Sequence, residues 1–299
     1  MAHSLLPEHG ILLLDKPAGL TSTRALGRAK KLLGIRKAGH TGALDPMATG
    51  LLPLCFGEAT KVSGQLLEAD KRYLAGVRLG ITTDTGDAEG RVTGREPVPD
   101  IDRTDLERVL ARFTGTMDQV PPMYSALRVD GRRLHELARE GREVPRRPRK
   151  VTIHSLELDD FADGRFGLEV HCSKGTYIRT LAMDIGRALG CGAHLDALRR
   201  SASGPFGLSD AVTLDALEAE DPDQRRGMLL PIESAFPSLA RIELGAEGVR
   251  AIRHGQAVVA PERVAPGPVL LMDAERLLAL GDAADDGRIR PRRLFHLPS

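Results

Sequence analysis

The sequence predicts a mixed α+β protein, a core of sheet and helices followed by a small β-rich domain. Three observations predict it. Segments of alternating apolar residues interleave with segments at helical spacing. No Gly-x-Gly-x-x-Gly follows a strand and no Gly-x-x-x-x-Gly-Lys-Ser/Thr occurs, which speaks against a doubly wound nucleotide-binding fold. From Pro237 onward, short apolar runs (Val258-Val259, Val269–Met272) alternate with Gly/Pro turns.

In chain order, Gly10–Leu14 reads as a short buried strand, broken by Asp15-Lys16-Pro17-Ala18-Gly19. Thr21 and Ser22 can cap a helix that carries Leu26, Ala29 and Leu33 on one face and stops at Gly34. A loop follows with Gly39-His40-Thr41-Gly42-Ala43-Leu44-Asp45-Pro46. Tyr73, Ala75, Val77 and Leu79 alternate as a strand. Thr104-x-x-Glu107 forms a capping box ahead of Leu106, Leu110 and Phe113. Phe166, Leu168, Val170 and Cys172 alternate again, and Ile178, Leu181, Ala182, Ile185 and Leu189 keep helical spacing up to Gly190. Tyr124–Lys150, with two glycines and two prolines, reads as an exposed excursion, and 209–235 as an acidic helix and connector.

The chain has 299 residues, of which 41% are hydrophobic and 28% charged, a balance that excludes a wholly disordered chain and suggests two domains. Apolar runs such as Ile11–Leu14 are too short to cross a bilayer, and no basic region followed by a long apolar stretch marks a secretory signal. Three cysteines (Cys55, Cys172, Cys191) form no Cys-x-x-Cys pair, as suits a reducing cytoplasm. The net charge of +1 conceals segregation. Lys16–Lys37 holds seven basic residues and no acid, and Pro121–Lys150 holds nine against four acids. Asp210–Glu233 holds seven acids and two bases. Such clusters suit either a polyanion partner or ordinary solvated faces.

Two clusters are dense enough in polar groups for chemistry. In Gly39–Pro46, Pro46 biases Asp45 away from helical geometry, so its carboxylate is presented from a bend; an Asx turn is the alternative use. Ser173–Thr180 lies at a strand-to-helix junction with free backbone N–H groups. Tyr177 and Arg179 can converge there only if the backbone is not yet regular helix; otherwise Arg179 is a surface charge and Tyr177 a core aromatic. Asp84-Thr85-Gly86-Asp87-Ala88-Glu89 misses the EF-hand spacing and reads as a solvated loop. The histidines, including His135, His154 and His194, show no paired metal-ligand spacing.

Several long motifs resemble one family. Leu14–Gly19, Gly39–Gly50, Gly57-Glu58-Ala59-Thr60-Lys61, Asp70–Tyr73, Pro122–Ala126, His171–Thr180, Gly190–His194 and Leu198-Arg199-Arg200 are similar, in order, to the TruB family of bacterial tRNA pseudouridine-55 synthases. The likeness thins toward His254-Gly255-Gln256 and Pro291–Leu294. It implies an α/β core (residues 1–236) whose central mixed, mostly antiparallel sheet is flanked by helices. A mobile basic insertion at about 124–150 would clamp the tRNA T arm, and a PUA-like RNA-binding domain would follow at 237–299. It implies Asp45 as nucleophile, Arg179 as its partner, Tyr73 against the target uracil, Tyr177 and Leu198 lining the pocket, and His40 touching the opened T-loop. No cofactor or metal is implied, and a monomer acting on tRNA in the cytoplasm, without a membrane, is expected.

The residues suit that chemistry. A free aspartate side chain, whose ordinary pKa is about 3.9, is ionised at neutral pH and can form and release a covalent adduct. Burial would raise its pKa, and a neighbouring Arg opposes that rise. Lys16, Lys61 and the basic excursion are the expected phosphate contacts. Tyr73 is the expected aid in removing the C5 proton, a role for which a phenol needs a lowered pKa. Two other readings compete: a non-catalytic tRNA-binding or folding factor, and a metal-dependent phosphoesterase built on Asp84, Asp87 and Glu89.

Overall fold

The computed structural model describes residues 8–129 and 131–297. Residues 1–7 and 298–299, at the outer ends of the two expected domains, and Asp130 in the expected insertion lie outside the described residues. Up to the basic excursion the strands are β1 (Gly10–Lys16), β2 (Ala38–His40), β3 (Thr49–Phe56), β4 (Lys71–Leu79), β5 (Ile81–Thr83), β6 (Val92–Arg95) and β7 (Gly115–Gln119). Helices α1 (Ser22–Leu33), α2 (Ser63–Glu68) and α3 (Arg103–Ala111) lie among them. Then come β8 (Arg128–Val129), β9 (Arg132–Arg133), α4 (Leu134–Arg139), β10 (Arg149–Ala162), β11 (Arg165–Cys172), α5 (Ile178–Ala188), β12 (Ala193–Ser203), β13 (Phe206–Gly207) and β14 (Val212–Thr213). The rest is α6 (Leu214–Ala219), α7 (Pro222–Gly227), β15 (Ala240–Glu243), α8 (Ala246–Arg253), β16 (Val258–Val259), β17 (Gly267–Asp273), β18 (Arg276–Ala283) and β19 (Arg288–Leu294).

The main sheet runs β14-β1-β3-β12-β4-β11-β10-β7, with β2 beside β3 and β13 beside β12. Among the described residues of this sheet, only β1–β14 and β3–β12 pair in parallel, so the sheet is mixed and mostly antiparallel. The continuous apolar run of β1 is explained by burial on both faces. Leu12 and Leu14 join Ala25, Ala29 and Leu33 of α1 in the main core, whereas Ile11 and Leu13 meet Leu270, Met272 and Leu280 of the C-terminal sheet. In β4 and β11 the alternation is real but serves one face: Tyr73, Val77, Leu168 and Val170 are buried, and Leu74 is 47% exposed.

Helix ends follow their sequence signals with one shift. Thr21 Oγ1 accepts from the Arg24 amide, and Gly34 takes the left-handed conformation (φ 69°) that ends α1. The box expected at Thr104–Glu107 is instead formed by Asp102 and Asp105: the Asp102 carboxylate accepts from the Asp105 amide at 2.8 Å. Asp accepts at an N-cap at least as well as Thr, so the earlier residue takes the position. The 124–150 excursion carries the β8–β9 hairpin and α4, anchored by buried Leu134 and Leu137.

The C-terminal sheet runs β15-β17-β18-β19-β16. It also holds α8, which the sequence pattern does not announce because only Val249 and Ile252 mark its buried face. Glu58 joins the two sheets' segments: it pairs with Lys37 and Lys61 and accepts from the His296 amide at 2.9 Å. Among the described residues, no helix is long and apolar enough to cross a membrane.

Candidate active site

Asp45 projects from the loop between β2 and β3, and buried partners fix that loop at several points. Ser22 Oγ accepts from the Leu44 amide at 2.7 Å and donates to its carbonyl at 3.1 Å. The Gly19 amide donates to Pro46 O at 2.8 Å. Lys16 is fully buried, and its ammonium donates to Pro17 O, Leu20 O and Pro46 O at 2.8, 2.7 and 3.3 Å. It therefore ties the Pro17–Leu20 bend to the Asp45 loop and has no surface for a phosphate, which corrects the expected contact. Burial, with Arg200 adding, pulls the Lys16 pKa down to about 8, and the charges of Asp45 and Glu89 resist.

The Asp45 carboxylate is not spent on an Asx turn. Arg179 Nε stands 2.9 Å from its Oδ2, and Nη2 donates to its Oδ1 at 3.3 Å. The Asp45 side chain keeps 39% of its surface open, whereas that of Arg179 keeps 4%. Arg179 is held from three sides: Nη1 donates to Thr85 O at 2.8 Å, Nη2 donates to Tyr124 O at 2.7 Å, and Asp87 Oδ2 lies 3.5 Å from Nε. Asp87 is buried, and its Oδ1 accepts from Thr85 Oγ1 and the Glu89 amide. The 84–89 segment is thus not a wholly solvated loop: Gly86 and Asp87 are buried, while Asp84, Ala88 and Glu89 are exposed. Nor is it a cation loop, because Asp84 is committed to the Arg91 amide and guanidinium and Asp87 to Arg179.

The convergence of Tyr177 and Arg179 rests on an irregular helix start. Tyr177 caps α5 in an extended conformation (φ −97°, ψ 108°). Gln119 clamps its backbone, accepting from the Tyr177 amide at 2.8 Å and donating to its carbonyl at 3.1 Å. Burial raises the Asp45 carboxyl above its ordinary value, the Arg179 guanidinium pulls it back, and the nearby Asp87 charge raises it again.

Tyr73 and Leu198, 8% and 9% exposed, lie in the main core with Leu44. The β4–β12 register sets Arg200 opposite Tyr73 and Leu198 opposite Ala75. Arg200 is almost wholly buried and donates to Leu51 O at 2.7 Å and Gly42 O at 3.1 Å, holding the Asp45 loop from beneath. Burial pushes the Tyr73 phenol up, and only the neighbouring Arg200 pulls it down, so the lowering that a base role needs is outweighed. His40, half-buried on β2, has an Nδ1 with no hydrogen-bond partner among the described residues, and burial followed by Arg200 pushes its imidazole down.

The structure thus draws Asp45, Arg179, Tyr73, Tyr177, Leu198 and Lys16 to one place, with His40 beside Arg200. It separates Lys61, whose ammonium pairs with Glu58 and donates to Leu294 O at 2.7 Å, a junction between the sheets rather than the expected phosphate contact. Sequence reasoning singled out Asp87 but placed it in a solvated or metal-binding loop instead of against Arg179, and it missed Gln119 and Arg200 as site residues. Arg200 was visible only as part of a motif, and Gln119 carried no local signal. A cavity of about 740 Å³ adjoins the group through Met47 and Leu198.

Three family profiles match the chain: the N-terminal domain of the TruB family pseudouridylate synthases over residues 30–178, the C-terminal domain of tRNA pseudouridylate synthase B over 179–237, and the C-terminal segment of pseudouridine synthase II TruB over 240–295. A tRNA pseudouridine synthase B of Azoarcus sp. (strain BH72) is 55% identical over 286 residues, covering 96% of this chain and 94% of that protein. One from Nitrosococcus oceani is 51% identical over 291 residues, with 96% and 94% covered. The crystal structure of the archaeal box H/ACA sRNP Nop10–Cbf5 complex contains a chain with a TM-score of 0.72 at 27% identity, covering 98% of this chain and 88% of that one. These relatives are enzymes, which sets aside the non-catalytic binding or folding factor and the phosphoesterase. Together with the sheet and the Asp45–Arg179 site, they establish that the chain belongs to the TruB family and is a tRNA pseudouridine synthase.

Proposed function

We propose that this enzyme isomerises uridine 55 in the T-loop of tRNA and that Asp45 is its nucleophile. The observation that carries the reading is the ion pair between a partly open Asp45 carboxylate and a buried, fourfold-held Arg179. The reaction breaks the N1–C1′ bond, turns the uracil and forms C5–C1′; the C5 proton leaves and N1 gains one. Asp45 adds to and then departs from the nucleoside, so nothing is oxidised and no outside group is transferred. The Arg179 guanidinium opposes the rise that burial imposes on the Asp45 carboxyl and keeps the carboxylate aimed.

The target base must leave its stack, at a cost of a few kcal/mol. The Tyr73 ring packs against the extruded uracil and recovers about 1–3 kcal/mol. Leu198 and Tyr177 wall the pocket while the free base turns, and His40 fills the space that the base vacates. Tyr73 is the proposed acceptor of the C5 proton, a role that the burial of its phenol opposes and the neighbouring Arg200 charge favours. Residues 1–236 form the catalytic domain and 237–299 the RNA-binding one. The 124–150 segment closes on the T arm, and the carbonyl of its first residue already accepts from Arg179. Its arginines contact phosphates, so binding weakens as salt rises. The enzyme acts as a monomer in the cytoplasm. Mapping pseudouridine in unmodified tRNA after incubation with the pure protein tests the reading: modification at 55 supports it, and modification elsewhere or none contradicts it.

A further inference from the structure

On the face of the sheet opposite Tyr73, three side chains from three neighbouring segments meet. Asp70 immediately precedes β4, His154 lies on β10 and His171 on β11, and one donor atom from each lies within 4.8 Å of the others. His154 Nε2 stands 3.1 Å and His171 Nε2 4.0 Å from Asp70 Oδ2. The two imidazole centroids are 4.7 Å apart, with their planes tilted by 45°.

A regular sheet would not bring them together. Ile153 pairs with Cys172 and Ser155 with His171, so β10 takes two steps where β11 takes one, and His154 is the extra residue. Such a bulge re-aims a side chain. Ile153 is fully buried, and Leu156 packs on the same core, so His154 and Ser155 intervene where strict alternation allows one residue. The bulge sets His154 beside His171 and over Asp70.

We propose that Asp70, His154 and His171 form a binding site for a divalent cation of the zinc class. Two imidazole nitrogens and one carboxylate oxygen are a borderline donor set that suits Zn²⁺, Co²⁺ or Ni²⁺ and not Mg²⁺. Metal–donor bonds of about 2.0–2.2 Å place neighbouring donors of a tetrahedral ion roughly 3.3–3.6 Å apart, a spacing bracketed by the two separations from Asp70. All three side chains keep part of their surface open, at 48%, 36% and 27%, so small rotations close the widest gap and water completes the shell. The site joins β10, β11 and the residue before β4 at the end of the sheet from which Tyr73 arises, on the opposite face.

The test is titration of the purified full-length protein with Co²⁺ and, separately, Zn²⁺, reading the visible absorption of bound Co²⁺ and the melting temperature. The site predicts one equivalent of saturable Co²⁺ that Zn²⁺ displaces, and a melting temperature that rises with free metal. His154→Gln and His171→Gln should each abolish both signals while melting like the wild type in chelator. Should either variant fail to fold, Asp70→Asn gives the same reading. Absence of saturable binding, or binding that these variants retain, would make the cluster a His–Asp ion pair and overturn the proposal.

Discussion

At the scale of single residues the account rests on Asp45 and the charges around it. Asp45→Asn keeps the shape but removes the proposed nucleophile, so turnover should fall by at least about 10³-fold while affinity for tRNA stays near that of the wild type. Single-turnover assays beside filter binding check both. Arg179→Lys keeps the charge but loses the planar fork that reaches Asp45, Thr85 O and Tyr124 O at once. It should cost about 10²-fold in kcat, more than it costs in KM. Because burial raises the Asp45 carboxyl, its active anion forms at a higher pH than for a free Asp. The rate of the chemical step should therefore rise with pH through that raised value and be lost as pH falls through it. An acid limb at or below the ordinary Asp value would contradict this. At this scale the sequence was most legible where chemistry concentrates in short motifs. Lys16 and Lys61 misled because a lysine looks the same in sequence whether its ammonium meets phosphate or is buried against carbonyls.

At the scale of elements, the site depends on how closely α5 lies on β12. A Cβ on Gly186 would run into the backbone of Gly192 and Ala193, where nothing flexible can yield. Gly186→Ala should push α5 outward and, through the helix, shift Arg179. The expected result is a lower melting temperature together with a drop in kcat, whereas Thr21→Ala at the cap of α1 should lower stability by about 1 kcal/mol. Denaturant melts and kcat on the same samples check the contrast, which fails if both variants change stability alone. The helices and strands with strong period were readable because one face of each is buried against the core. The β10 bulge and α8 were not: a bulge shows only in the partner's register, and two apolar residues are too few to mark a period. The capping box sits two residues earlier because Asp102 and Asp105 satisfy each other's amides and start the helix there.

At the scale of the whole molecule, the catalytic sheet and the C-terminal sheet share one apolar cluster and one polar hub at Glu58. Burial alone would raise the Glu58 carboxyl, but hydrogen bonds from Lys61, the His296 amide and Lys37 outweigh it and bring it down to about 2. A carboxyl lowered by folding stabilises the folded state above its unfolded value, and that contribution is lost as pH falls from about 4.5 toward 2. Glu58→Gln should therefore cost up to about 3 kcal/mol near neutrality, with the gap from the wild type closing across that acid window. Melts at stepped pH read it, and a gap independent of pH would show that Glu58 acts by packing alone. The two-part architecture was legible from the change in composition near Pro237, but the cluster and hub that join the parts were not, since their residues are far apart in sequence. The most direct measurement of the central claim is pseudouridine mapping on unmodified tRNA with wild-type protein and Asp45→Asn. The account predicts a single pseudouridine at position 55 with the wild type and none with the variant, which still binds the RNA. Turnover by Asp45→Asn would contradict it.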